Sequence, residues 1–367
     1  MKRLKLTIFF LFISFIIFII KNLTTPSSLK NSEEREINLA LSIDNAVERC
    51  LKEYGIQEKW IRRNTIQDRN NNIKKNIKSI RIPEDLSIPV LNLAITKAVI
   101  SSEGRIIEGN EITSRNRLII TVGYDNVVVD SLILTKDKAL THKKGKIAII
   151  IDDFGSDNGK IIEEYLEFPE IITFSIIPGN KYSKEIGESA SKEGYEVIVH
   201  LPMESNTPPD RNEKILLKDQ MSRKDIEKII NMSIDELPMA KGLSNHMGSK
   251  ATENPILMKD LAEVLKRKKL YFVDSFTSTK SIAFEVFVKS DVRVLKRDVF
   301  LDNKEEVGEE FILARLDELM KIASEKGKVI GIGHATKEIT CEVLRREMPK
   351  IYKKGYEFVF ASQIFGK

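Results

Sequence analysis

The residues of this chain best suited to chemistry sit where apolar runs stop. Ala148-Ile149-Ile150-Ile151 leads straight into Asp152-Asp153-Phe154-Gly155, so two adjacent carboxylates follow a run with the texture of a buried strand. Adjacent side chains at a strand end point in different directions, which lets one carboxylate hold a metal ion while the other takes a proton. An ordinary Asp-Gly turn after a strand would look the same in isolation. The histidines weigh against that reading. The chain has four, and His200, His246 and His334 each end or closely follow an apolar run, as the Asp pair does.

In chain order, the residues that follow these runs are Asp152-Asp153, Pro178-Gly179, His200 to Glu204, Ser244 to Ser249, Asp274-Ser275 and Gly333-His334. Six units in succession thus bring polar or turn-forming groups to one face. Asp, His and Glu suit Zn²⁺ or another divalent ion, and a catalytic site leaves one coordination position for water. The assignment is a divalent metal, with zinc preferred, held by Asp153, His200 and His246, and Glu204 as a further ligand or an outer partner. Asp152 is then the general base on the activated water and His334 the general acid for the leaving group. Asp274 is expected either to fix the tautomer of an imidazole or to cap a turn. Asn245, Ser249 and Ser275 are candidates for contacting substrate.

The elements that must position these groups follow from periodicity. After about residue 146, short β-rich runs (147–151, 171–176, 196–199, 240–243, 270–273, 293–294 and 329–332) alternate with stretches of helical spacing (182–193, 223–237, 255–267 and 311–326). Such alternation predicts an α/β fold with a parallel sheet. About seven units without a glycine-rich dinucleotide fingerprint fit a (β/α) barrel over residues 146–367, with its site at the carboxyl ends of the strands. Before it, residues 36–135 read as a small α+β domain. Helices are expected near 37–54 and 87–102, strands near 77–82, 105–109, 117–124 and 127–135, and a hairpin turn at Asp125-Asn126. The charged run Lys136 to Lys146 separates the two.

The amino terminus has basic residues at Lys2, Arg3 and Lys5, followed by an uncharged Ile- and Phe-rich run from Leu6 to Ile20. This predicts a signal segment over 1–22, read as an uncleaved anchor with the body outside the cytoplasm, and a polar tether over 23–35. With 42% hydrophobic and 31% charged residues and a formal net charge of +5, the rest reads as ordinary globular protein. No basic face interleaved with aromatic residues is present, so nucleic acid is not an expected partner. The two cysteines, Cys50 and Cys341, match no metal or redox spacing.

The phrases IIIDDFG, TFSIIPG, VIVHLPMES, GLSNHMGSKAT, YFVDSFTS and GIGHA, in this order, resemble the divergent polysaccharide deacetylase family, distantly related to NodB-type carbohydrate esterases. The resemblance covers about Lys146 to Phe365 and says little about the amino-terminal domain. It implies an irregular (β/α) barrel of NodB-like type that removes acetyl groups from N-acetylated sugars with a metal. It also implies Asp152 as base, Asp153 as ligand and His334 as acid. The related H-x-x-x-H motif stands here as His200-Leu201-Pro202-Met203-Glu204, with glutamate in place of the second histidine. Either Glu204 ligates directly or His246 supplies the missing nitrogen. His246 is preferred, because a neutral nitrogen preserves the charge at the metal. An arginine that supports the base in NodB-type enzymes has no evident counterpart. The implied partner is an envelope polysaccharide or peptidoglycan-like glycan. The competing class is a glycan-binding or scaffold protein that kept the barrel and lost turnover.

Overall fold

The computed structural model describes residues 26–67, 74–207, 213–304 and 306–366. The run Leu6 to Ile20, expected as an anchor, lies outside the described residues. Among the described residues no helix is long and apolar enough to cross a membrane. The chain divides into two compact units between His142 and Lys143.

The first unit carries a five-stranded sheet of β1 (Ile61–Gln67), β2 (Lys74–Pro83), β3 (Arg105–Ile112), β4 (Arg117–Tyr124) and β5 (Val127–Asp137), in the order β1-β2-β5-β4-β3. Only β2 and β5 pair in parallel. The helices Pro26–Glu53 and Ile88–Ser101 supply apolar residues at intervals of four, Ile43, Val47 and Leu51 from one and Leu91, Ile95 and Val99 from the other. These meet Ile80, Val122 and Leu132 of the sheet in one core. Ser87 caps the second helix by accepting from the Val90 amide, with Pro89 in the first turn where its missing N–H costs nothing. The helix Pro26–Glu53 begins inside the stretch expected to be a tether: a proline at the first helical position and helix-compatible residues after it extend the helix beyond its apolar stripe. Strand β1 was also unanticipated, because its residues are mostly polar and exposed.

The second unit is a parallel α/β layer structure. Its strands are β6 (Gly145–Phe154), β7 (Thr173–Ile176), β8 (Glu196–Met203), β9 (Gly242–Met247), β10 (Tyr271–Asp274), β11 (Val294–Lys296), β12 (Val299–Phe300), β13 (Lys328–His334) and β14 (Tyr356–Phe358). They run in the order β11-β10-β9-β8-β7-β6-β13-β12, with β14 against the start of β6, and every pair is parallel. Each of the seven expected apolar runs contains or adjoins a strand. Helices Lys160–Leu166 and Ala283–Lys289 escape periodicity because they are seven residues long, and Pro349 argues from sequence against the helix Glu338–Lys353 that nonetheless forms.

The sheet is a half-barrel whose two edges, β11 and β12, do not pair with each other. They are joined by Arg297 and Asp298 alone. The Arg297 amide donates to the Asp274 carbonyl beside β11, and the next amide, Asp298, donates to the Ile330 carbonyl of β13. Alternation along β6 separates two apolar layers. Ile147, Ile149 and Ile151 join the core under the helices, whereas Ala148 and Ile150 join a smaller cluster with Ile198, Val273, Ile332 and Ile364. The carboxyl-terminal segment reaches that inner cluster at the amino ends of the strands. There the Glu196 carboxylate accepts from Tyr271 Oη at 2.9 Å and from the Ser362 amide at 3.0 Å. The other end of the strands carries the polar residues.

Candidate metal and catalytic site

The Asp pair owes its arrangement to a bulge. Ile151 of β6 lies opposite Phe174 of β7, and Phe154 lies opposite Ile176, so both Asp152 and Asp153 face the single residue Ser175. Asp153 adopts φ = 69°, a left-handed conformation uncommon outside glycine and asparagine. A bulge of this kind re-aims a side chain beside a site. In a regular strand the two carboxylates would leave on opposite faces. Here Asp152 Oδ1 lies 3.5 Å from Nδ1 of His200 while Asp153 Oδ1 lies 3.3 Å from Nε2 of the same ring.

Asp153, His200 and His246 present one ligand atom each within a common volume. Asp153 Oδ1 is 3.3 Å from His200 Nε2 and 3.1 Å from His246 Nδ1, and the two nitrogens are 3.3 Å apart. Ligands about 2.0–2.1 Å from a tetrahedral zinc ion form edges of roughly 3.3–3.4 Å, so this triangle matches one face of such a site. Asp153 Oδ1 is buried and faces these two ring nitrogens, as expected of an atom shaped to share a cation with them. The residues fit the group. They come from β6, β8 and β9, and the parallel register that sets Pro202 beside His246 brings the second histidine to the first.

The two carboxylates differ electrostatically. Burial lifts the Asp152 carboxyl above its ordinary value, against the opposing pull of His200 and His334. Burial also works to raise Asp153, but hydrogen bonding and charge from His200 and His246 outweigh it and hold that group well below the usual range. His246 is raised in turn, Asp153 overcoming the cost of burial. Asp153 thus holds a proton less tightly than an ordinary aspartate and Asp152 more tightly.

On β13, His334 stands opposite Asp152 in register. Its Nδ1 lies 2.6 Å from Oδ1 of Asp302, while Asp302 Oδ2 accepts from the His334 amide at 2.9 Å and from Thr340 Oγ1 at 2.7 Å. Burial opposes the imidazolium, but the Asp302 hydrogen bond and charge, aided by Asp153 and Asp152, push His334 up to about 9. The ring also stacks on Phe300, with centroids 5.8 Å apart, and the Arg297 guanidinium covers the same phenyl group at 3.7 Å. Asp302 was missed in the sequence, although Val299-Phe300-Leu301-Asp302 repeats the pattern of an apolar run ending in a carboxylate.

The remaining candidates have other partners. Glu204 binds Lys250 Nζ at 2.6 Å and the Asp219 amide at 2.8 Å and stands outside the ligand trio; the lysine holds its carboxyl below the ordinary value. Asp274 accepts from Ser281 Oγ and the Phe276 amide, both at 2.8 Å, so it shapes the turn after β10, and the imidazole-orienting role expected of it is filled at His334 by Asp302. Asn245 is buried and spans the loop, accepting from the Ser275 amide and donating to the Met247 carbonyl. Ser249 Oγ accepts from the Asn206 amide. Ser275 is buried, and its hydroxyl has no hydrogen-bond partner.

The family match falls within the second unit. A family model described as divergent polysaccharide deacetylase matches residues 149–365. The protein YibQ of Escherichia coli K12 is 36% identical over 196 residues, which cover 52% of this chain and 58% of YibQ. A protein of Haemophilus influenzae is 30% identical over 217 residues, covering 59% of this chain and 75% of its own. The crystal structure of ATU2773 from Agrobacterium tumefaciens C58 superposes with a TM-score of 0.56 at 21% identity, covering 60% of this chain and 89% of that one, a likeness of fold.

Proposed function

The chain belongs to the divergent polysaccharide deacetylase family, and on that footing we propose that it is a metal-dependent hydrolase that removes acyl groups from an envelope glycan. The observation that carries this reading is the convergence of Asp153, His200 and His246 on one point beside Asp152. Asp153, His200 and His246 would hold a divalent ion, zinc in this reading, which would supply Lewis acidity toward the acyl carbonyl and the attacking water. Asp152, raised by burial, takes the proton of that water as its oxygen attacks the acyl carbon. His334, kept protonated by Asp302, gives its proton to the departing amine or alcohol as the acyl bond breaks. The proton count closes, with one taken by Asp152 and one released by His334. The basic and then apolar run up to Ile20 supports an address outside the cytoplasm.

The test uses purified full-length protein, with zinc content measured by elemental analysis and acetate release measured from N-acetylglucosamine oligomers and from an O-acetylated glycan. Stoichiometric zinc with acetate release that Asp152→Asn abolishes supports the reading. Acetate release that persists in Asp152→Asn defeats the mechanism. A glycan-binding protein without turnover is the second reading. The observation on its side is Glu204, which stands in the place of a ligand histidine and is engaged by Lys250. Absence of zinc under every loading condition, with retained glycan binding, decides for it.

A further inference from the structure

Arg297, next to the β11 edge of the half-barrel, is a half-buried cation, and among the described residues no carboxylate lies within ion-pair distance of it. The two acids that act on it electrostatically are engaged elsewhere. Asp274 accepts from Ser281 Oγ and the Phe276 amide, and Asp298 accepts from the Ile330 amide at 3.0 Å and from Lys326 Nζ at 3.3 Å. The guanidinium is held instead by one edge and one face. Nε donates to the Ser275 carbonyl at 2.8 Å, Nη2 donates to the Phe276 carbonyl at 3.1 Å, and Cζ lies 3.7 Å from the centre of the Phe300 ring. A guanidinium has five N–H donors, so three are left over here, and two of them, one on each Nη, form the parallel fork that matches the two oxygens of a carboxylate. A side chain already fixed in this way has little freedom left to lose on binding.

A second group points to a ligand at the same place. Ser275, whose carbonyl holds Arg297, is 2% exposed, and its hydroxyl has no hydrogen-bond partner. Buried hydroxyls nearly always have one. Tyr271 and Val273 belong to the inner cluster of the half-barrel, so the alternation of β10 turns Ser275 inward as well, at the end of the sheet where the other strands finish in His200 and His334. A single phenyl ring, Phe300, stands between the guanidinium and the His334 imidazole on which it stacks.

We propose that Arg297 and Ser275 form a carboxylate-binding subsite beside His334, and that the glycan taken by this cleft is an acidic one, with a carboxylate on or next to the sugar that carries the acyl group. The other cation nearby, Lys296, lies 3.5 Å from the centre of the Phe276 ring, which leaves one guanidinium fork for one planar, singly charged group and favours a carboxylate over a phosphate. The subsite rests on the glycan reading of the cleft and adds to it the class of sugar; it depends neither on a metal nor on turnover.

Titration calorimetry on the full chain tests it with two acidic N-acetylated glycans, hyaluronan oligosaccharides and peptide-free peptidoglycan strands, each native and with its carboxylates converted to primary amides. Neutral chito-oligosaccharides serve as the reference. Amidation is expected to weaken wild-type binding of at least one of these glycans by about 10–100-fold, the worth of hydrogen bonds to a charged group. Arg297→Gln should weaken the native glycan by a similar factor yet bind the amidated one within about threefold of wild type, because the two changes remove the same interaction. Arg297→Lys, which keeps the charge without the fork, should remain at least about fivefold weaker than wild type on the native glycan. Ser275→Ala, which removes no hydrogen bond within the chain, should lose about 2–10-fold on the native glycan alone. Where Arg297→Gln does not fold, the amidated glycans and Ser275→Ala decide the matter by themselves. Binding indifferent to amidation, or equal losses on native and amidated glycan in Arg297→Gln, would overturn the subsite and leave the glycan reading standing. Failure of wild type to bind any of these glycans, the neutral reference included, would overturn the glycan reading and the subsite with it.

Discussion

Asp302 grips His334 at two points, its Oδ1 2.6 Å from the ring Nδ1 and its Oδ2 2.9 Å from the backbone nitrogen of the same residue. Ring orientation and backbone position are thereby set by one buried carboxylate, which Thr340 also steadies. A histidine held this way presents Nε2 as its only free nitrogen. That is the arrangement a proton donor at a strand end requires.

The first prediction concerns the charge of His334. Its folded value of about 9 lies above the ordinary 6.5, so the stabilisation it contributes is fully present below about pH 6.5 and is lost as pH rises through about 9. In metal-free protein, Asp302→Asn is expected to flatten that decline, which is at most about 3 kcal/mol. NMR titration of the imidazole should show the value falling well below 9 in the variant, where burial opposes the charge and only Asp153 and Asp152 still favour it. A value near 9 retained in Asp302→Asn would show that Asp302 is not its cause.

Asp152→Asn removes a base while leaving a side chain of the same shape. Acetate release should drop by about 10²–10⁴-fold. Zinc content, measured on the same preparation, should stay stoichiometric because Asp152 is outside the ligand triangle.

The ligand set itself is tested by unequal losses. Asp153→Ala, His200→Ala and His246→Ala should each abolish stoichiometric zinc. Glu204→Gln should keep zinc affinity within about threefold, since its carboxylate is occupied by Lys250 and the Asp219 amide. Loss of zinc in Glu204→Gln comparable to that in His246→Ala would restore glutamate as a direct ligand.

The turn after His246 is predicted to be intolerant of a side chain. Gly248 has φ = 85°, and a Cβ there would meet Met203 Cβ at 2.9 Å. Gly248→Ala should lower stability by about 1–3 kcal/mol in chemical denaturation and weaken zinc binding by displacing His246.

Much of this site was legible because strand ends leave a mark in sequence. Apolar runs closing on Asp152-Asp153, His200, His246 and His334 are visible without a structure, and parallel strands bring such ends to one face. The bulge was not visible, since a one-residue change of register leaves no trace in hydrophobic patterning, and with it went the fact that both aspartates address the same imidazole. Asp302 was hidden by brevity: β12 has two residues, too few for any period to register. Asp274 had the right type and place, but its neighbours Ser281 and Phe276 took its oxygens first. In the first unit, Lys78 is buried between Glu48 at 2.9 Å and Asp130 at 3.1 Å, and burial lifts Asp130 to about 6. Nothing in the alternation of β2 distinguishes that lysine from an exposed one.

The unpaired seam between β11 and β12 gives the half-barrel a mechanical character. Arg297 and Asp298 act as a two-residue strap: one amide is fastened to the β10 side, the next to β13. Arg297 also grasps the Ser275 and Phe276 carbonyls and lies against Phe300. A tug on the loop after β10 therefore reaches Phe300 and Asp302 within a few bonds of chain, and through them the ring of His334.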